Sequence, residues 1–248
     1  MTWMRQQAAQ GRAEGTSILA DEQTQGRGRH GREWQSPPGM GVQASVLVRP
    51  DDGSLGSLGV LPLLVGLRIA DRMVSAAGVP AAVKWPNDVV VENASGDAEV
   101  GDESGVAKLA GVLAERLPDG AVIIGVGLNA TTPRDGLPEG ATSLMLEGSR
   151  VTREETAVEV LDAIAEAYRD WCAGEFGLAH YRQRCVTLGR SVMVREVDAG
   201  PMWQGTALDI DEAGRLLVRP ASREGRGAPE SDIVAVTAGD VSLAPRAG

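Results

Sequence analysis

A chain of 248 residues with 43% hydrophobic content is long enough for one substantial core and a smaller second one. A formal charge of −10 argues against a general nucleic-acid binder, which needs a clustered basic surface, and no apolar run approaches the roughly 18 to 20 residues that span a membrane. The stretch Met1 to Arg12 is polar rather than signal-like, and Cys172 and Cys185 have neither metal-ligand nor disulfide-framework spacing, so a soluble cytoplasmic protein with ordinary thiols is expected.

In chain order, residues 2 to 10 read as a short helix ending at Gly11, and Thr16 to Asp21 as a strand. A polar loop from Glu22 to Gly41 holds too many glycines and prolines for a regular element. Val42 to Val48 alternates with period two and is expected to be a strand. Leu58 to Ala77 carries apolar residues at helical spacing and stops at Gly78, as a long core helix does. The short apolar runs Ala82 to Trp85, Val89 to Val91, Leu109 to Ala114 and Val122 to Val126 fit buried strands of one sheet. Between them, Glu92 to Val106 is polar and glycine-rich and reads as a mobile surface insertion. Thr152 with Glu155 is a capping-box signature for a helix running to about Cys172, and a short helix follows over Leu178 to Cys185. After Gly189 the texture changes to short strands, Val192 to Val197, Trp203 to Ile210, Leu216 to Arg219 and Ile233 to Thr237, the pattern of a small antiparallel barrel. The expected division is therefore residues 1–188 and 189–248.

Of the 24 lysines and arginines, only Lys84 and Lys108 are lysines. A lysine kept against that bias marks a place where a compact charge with freely directed donors is needed and a planar guanidinium does not substitute. Both lie in distinctive segments. Gln23-Thr24-Gln25-Gly26-Arg27-Gly28-Arg29-His30-Gly31-Arg32-Glu33-Trp34 combines close backbone approach at its glycines with arginines suited to carboxylate or phosphate. It is neither a P-loop nor a dinucleotide fingerprint, and a solvated basic loop has the same composition. Lys84-Trp85-Pro86-Asn87-Asp88 sets a phosphate-capable lysine beside an aspartate that could orient a divalent cation, although Pro-Asn-Asp is also ordinary turn chemistry. Lys108-Leu109-Ala110-Gly111 and Gly125-Val126-Gly127-Leu128-Asn129 each put one polar group at the end of an apolar strand.

In this order, the four segments resemble the biotin–protein ligases, and the resemblance runs from about Gly11 to Leu243. It implies an α/β (α+β) fold: a mixed-sheet catalytic domain related to class II aminoacyl-tRNA synthetases and lipoate ligases, followed by a small SH3-like barrel. It also implies an ATP- and Mg2+-dependent reaction in which biotin becomes biotinyl-5′-AMP and is then transferred to a lysine of a biotin carboxyl carrier domain. The biotin site implied is Gln23, Gly26, Arg27, Gly28, Arg29, Trp34, Lys108 and Gly111, and the ATP site is Arg29, Arg32, Lys84 and Asn129. Lys108 and Arg29 are the expected catalytic residues and Asp88 the expected metal ligand, while His30 and His180 receive no catalytic role.

Two departures qualify the match. The Ser-Thr pair that family members carry before the first helix aligns at or before residue 1, and no helix-turn-helix segment is found, so a repressor role is not expected. The competing readings are a lipoate or other acyl ligase, disfavoured by Gln23 and Trp34, and a binding module without catalysis, disfavoured by the two retained lysines.

Overall fold

The computed structural model describes residues 1–24, 26–51, 57–92, 105–196, 202–221, 232–237 and 239–244. The first helix, α1 (Thr2–Ala9), leads into β1 (Ser17–Ala20) and, after the glycine-rich loop, β2 (Gly41–Val48). Helix α2 (Val60–Ala77) ends where Gly78 takes up the left-handed conformation, φ 68°, that glycine adopts without strain. Strands β3 (Ala81–Lys84), β4 (Asp88–Glu92), β5 (Val106–Arg116) and β6 (Val122–Asn129) follow. Helix α3 (Arg153–Ala173) opens with the full capping box, in which Thr152 Oγ1 accepts from the Glu155 amide and Glu155 Oε2 accepts from the Thr152 amide. Helix α4 (Leu178–Arg184) precedes β7 (Ser191–Glu196), β8 (Trp203–Ile210), β9 (Leu216–Pro220), β10 (Val234–Val236) and β11 (Gly239–Leu243).

The first six strands form one sheet in the order β1-β2-β6-β5-β4-β3. Every strand pair in it is antiparallel, which corrects the expectation of a mixed sheet. The cause is connectivity: β3–β4 and β5–β6 are joined by short turns, and α2 carries the chain across the sheet to the far edge, where β3 pairs with β4. Parallel pairing is confined, among the described residues, to the isolated bridges Val83 to Cys185 and Lys108 to Ala141. The expected insertion from Glu92 to Val106 connects β4 to β5, whose ends pair Glu92 with Val106, and its residues 93–104 lie outside the described residues.

The second sheet, β10-β9-β8-β7-β11, is also antiparallel. Its last strand was not expected, because Gly239–Leu243 offers only Val241 and Leu243 as apolar residues. One continuous core joins both sheets: Leu61, Leu64 and Ile69 of α2 and Val89 of β4 belong to the same buried cluster as Val192, Ala207 and Val218. A smaller cluster of Met4, Ala8, Leu47, Ala121 and Ile123 seats α1 against the other face of the six-stranded sheet. His180 on α4 meets the Asp71 carboxylate of α2 at 2.9 Å, linking the two helices.

Trp85 is the hinge between the sheets. It is 2% exposed, its indole N–H donates to the Gly214 carbonyl in the β8–β9 turn at 2.9 Å, and its backbone N–H donates to Thr187 Oγ1 at 3.0 Å. Trp85→Phe should keep most of the ring packing but leave a buried carbonyl without its donor. The expected cost is about 1 to 3 kcal/mol, visible as a lower urea midpoint with an unchanged m-value.

Candidate functional site

The register of the six-stranded sheet assembles the site. Gln43 on β2 pairs with Gly127 on β6, Gly127 with Gly111 on β5, Gly111 with Asp88 on β4, and Asp88 with Lys84 on β3. Three of the four segments singled out in the sequence thus contribute to one row across five strands. The neighbouring row, Ser45, Gly125 and Leu113, continues the surface. Because Gly111 on β5, Gly125 and Gly127 on β6 and Ser45 on β2 are small, the sheet face is left open at this end, and a cavity of about 270 Å³ lies on it.

The roof comes from the glycine-rich loop, which is a small closed hairpin. Trp34 N–H donates to the Gly26 carbonyl at 3.2 Å, Gly28 N–H to the Arg32 carbonyl at 2.7 Å and Arg32 N–H to the Arg29 carbonyl at 3.1 Å. Gly31 supplies the positive φ of 75° at the turn. This brings the half-buried Trp34 indole down onto the glycine row. A Cβ on Gly127 would stand 2.7 Å from the indole Nε1, and one on Gly111 would stand 3.4 Å from its Cζ3. The Trp34 Nε1 is itself buried without a hydrogen-bond partner among the described residues.

Lys108 reaches the same face by a backbone irregularity. Three residues before Gly111, it would point to the opposite side of a regular strand. However, the β4–β5 register passes from Val89 opposite Ala110 to Val90 opposite Lys108, leaving Leu109 as an extra, bulged residue. The bulge turns Lys108 so that its Nζ would lie 3.4 Å from a Cβ on Gly111, and it stands 5.6 Å from the Trp34 ring centroid. Its ammonium pairs with Asp88 Oδ1 at 2.6 Å. The backbone of Lys108 is held in turn by Gly140 and Thr142, through bonds of 2.7 and 2.9 Å.

The cavity gathers five cations, Arg27, Arg29, Arg32, Lys84 and Lys108, against two carboxylates, Glu33 and Asp88. Both lysines of the chain are therefore here, in a protein of formal charge −10. Burial lowers the Arg29 pKa below its ordinary value, with the nearby Asp88 charge opposing that shift and Arg32 adding to it. A guanidinium stays protonated through such a shift, so the lowered value marks a desolvated cation ready for an anion. Arg29 Nη1 also donates to Asn87 Oδ1 at 3.4 Å, and Asn87 Nδ2 donates to the Val112 carbonyl at 2.8 Å, tying the hairpin to β5.

Of the residues expected in the site, Gln23, Arg27, Gly28, Arg29, Arg32, Trp34, Lys84, Asp88, Lys108 and Gly111 line this cavity. Gly26 lines instead an outer groove on the other side of the hairpin. Asn129 lines neither: it is 3% exposed, and its amide Nδ2 donates to the Thr142 carbonyl at 2.9 Å, bracing the segment that holds Lys108. Val241 and Ser242 of β11 also line the cavity, as do Met1 and Thr2. Nothing in the sequence pointed to β11, because it reaches the site only through the docking of the second sheet. Among the described residues no group of three or more His, Cys, Asp or Glu is placed to hold a metal.

Comparison with known proteins gives a consistent outcome. The family model described as the biotin/lipoate A/B protein ligase family matches residues 5–129, and that of the biotin protein ligase C-terminal domain matches residues 187–244. The chain is 35% identical over 233 residues to a biotin–[acetyl-CoA-carboxylase] ligase of Mycobacterium tuberculosis, covering 92% of this chain and 79% of that protein. It is 32% identical to the bifunctional ligase/repressor BirA of Bacillus spizizenii, of whose length it spans 62%. The structure of biotin protein ligase from Aquifex aeolicus in complex with biotin and ATP aligns with a TM-score of 0.73 at 27% identity, covering 95% of this chain and 91% of that one.

Gly127→Ala tests the roof. The added methyl collides with the indole, so Trp34 has to leave the glycine row and become more exposed. The fluorescence difference between each protein and its Trp34→Phe counterpart isolates that ring, and its emission should shift to the red in the Gly127→Ala background. An unchanged difference spectrum would mean that the indole does not rest on Gly127.

Proposed function

The chain belongs to the biotin/lipoate A/B protein ligase family, and from that premise we propose that it activates biotin with ATP and transfers it to a lysine of a biotin carboxyl carrier domain. The observation that carries this reading is the convergence of both lysines and three arginines on one cavity floored by glycine and roofed by an indole. The reaction must bring a carboxylate and a triphosphate, both anions, into contact, and that is first a problem of charge and position.

In the first step a biotin carboxylate oxygen attacks the α-phosphorus of ATP and pyrophosphate leaves. In the second, the neutral amine of the carrier lysine attacks the carbonyl of the mixed anhydride, AMP departs and the amine loses a proton. We assign Gln23 to the ureido head of biotin and Trp34 to the wall of its apolar pocket, with Arg27, Gly28 and Gly111 completing that side and Gly26 closing the hairpin behind it. Lys108 and Arg29 stand where carboxylate and α-phosphate meet, while Lys84 and Arg32 face the remaining phosphates. Asn129 serves the nucleotide end through the Thr142 segment that it braces. A magnesium ion arriving with ATP needs only one or two protein carboxylates beside the phosphate oxygens, and Asp88 fits that requirement. Bound there, it would neutralise part of the triphosphate charge.

The six-stranded unit is read here as kin to class II aminoacyl-tRNA synthetases and lipoate ligases, and the five-stranded unit as an SH3-like barrel, divided at residues 188 and 189. A cytoplasmic site of action suits an ATP-dependent reaction, and no helix among the described residues is long and apolar enough to cross a membrane. No nucleic-acid role is assigned, since the basic residues that stand out in the sequence line a small-ligand cavity.

Two measurements test this reading. Lys108→Ala should lower biotin-dependent pyrophosphate release by roughly 10² to 10³, by analogy with the loss of one preorganised oxyanion donor, while biotin still binds. Lys108→Arg should rescue little, because a forked guanidinium cannot sit at the same point between two oxyanions. Normal pyrophosphate release with slow transfer from preformed biotinyl-5′-AMP would reassign Lys108 to the second step, and release that depends on lipoate instead of biotin would favour the lipoate reading. Separately, amide exchange from Gly26 to Trp34 should slow when biotin and ATP are added, because the hairpin's few backbone hydrogen bonds then gain anionic partners.

A further inference from the structure

Lys108 and Asp88 are the closest pair of opposite charges in the cavity, at 2.6 Å, and both side chains are part-buried, 37% and 19% exposed. Two independent features force them together. The bulge at Leu109 turns Lys108 onto the face that carries Gly111, and the register sets Asp88 directly opposite Gly111 on β4. Asp88 Oδ1 has no well-directed hydrogen bond among the described residues, and its direct ion pair is with Lys108, with the Arg29 charge nearby. Lys84, its register partner on β3, makes no ion pair with it. A carboxylate oxygen therefore already sits against the ammonium to which the proposed reaction assigns the carboxylate of the ligand.

We infer that Asp88 is the resident counter-ion of Lys108, a stand-in carboxylate that the ligand's own carboxylate has to displace. The inference rests on the ligase reading and deepens it. Binding is then an exchange of one carboxylate for another at a single ammonium, and Asp88 sets the threshold that an anion must exceed. The benefit is electrostatic. Without Asp88, Lys108 would be a part-buried cation with no counter-charge, open to any small anion. With it, only a ligand that also fills the cavity beside Trp34 has enough additional binding energy to break the pair. Once displaced, the Asp88 carboxylate is free for other work in the liganded enzyme.

The test is calorimetry with the full chain, without nucleotide or magnesium, using biotin and the uncharged biotin methyl ester. Asp88→Asn keeps the shape of the side chain and removes its charge, and Asp88→Ala serves as a second variant in case the amide makes a new contact. Both should bind biotin about three- to fivefold more tightly than the parent, as expected when a competing part-exposed ion pair is removed. Affinity for the ester should stay within about twofold, and in a Lys108→Ala background the gain for biotin should largely vanish. Unchanged or weaker biotin binding in both Asp88 variants would overturn the inference. So would an equal gain for the ester, or a full gain without Lys108, since neither can come from competition for that ammonium. A parent chain that binds neither ligand would instead remove the ligase reading itself, and the inference with it.

Discussion

The bulged residue Leu109 is the constraint on which the arrangement of the site depends. In a regular strand Lys108 and Gly111 would face opposite sides of the sheet, and the ammonium would point away from the cavity. One extra residue in β5 puts them on the same side, close to Trp34 and in contact with Asp88. While Lys108 stays paired opposite Val90 of β4, its backbone also bonds to Gly140 and Thr142, ahead of the point where the β5–β6 ladder begins at Ala110. Bulges commonly occur beside active sites because they re-aim one side chain without disturbing the rest of the sheet. Here the rest of the sheet is the glycine row on which the indole lies.

That row explains how an acidic chain can hold a cationic cavity. Glycine at positions 111 and 127 lets Trp34 approach the backbone, and the ring adds to the burial of the groups around it. Burial strengthens each charge interaction there but also makes unpaired cations costly. The burial-lowered pKa of Arg29 is one sign of this cost, and the pairing of Lys108 with Asp88 is the means by which part of it is relieved. The two cysteines lie outside this chemistry. Desolvation raises both Cys172 and Cys185 above the ordinary thiol value, which disfavours the thiolate form.

The second sheet takes part in the site directly. Trp85, within the segment that carries Lys84, Asn87 and Asp88, is bonded to Gly214 of the β8–β9 turn and to Thr187. The turn is seated closely: a Cβ on Gly214 would come within 2.9 Å of Leu63 Cδ1 on α2. With Val241 and Ser242 lining the cavity, loosening this contact would be felt at the site as well as in stability.

The sequence by itself determined the elements whose signals are local. The helix from Thr152 was legible because both partners of its capping box lie within one turn, and the end of α2 because Gly78 alone accepts the left-handed backbone there. The unusual retention of lysine at positions 84 and 108 marked where charge matters, and the four segments identified the family. Strand pairing was not legible in the same way. Hydrophobic alternation gives the buried faces of a strand but not the direction of its neighbour, and the mixed sheet that the resemblance implied is antiparallel in the structure. The bulge at Leu109, the row from Lys84 to Gln43 and the arrival of β11 at the cavity were decided only in the tertiary structure. Each depends on register between segments far apart in the chain, and register is a property of pairs of strands that no single stretch of residues carries.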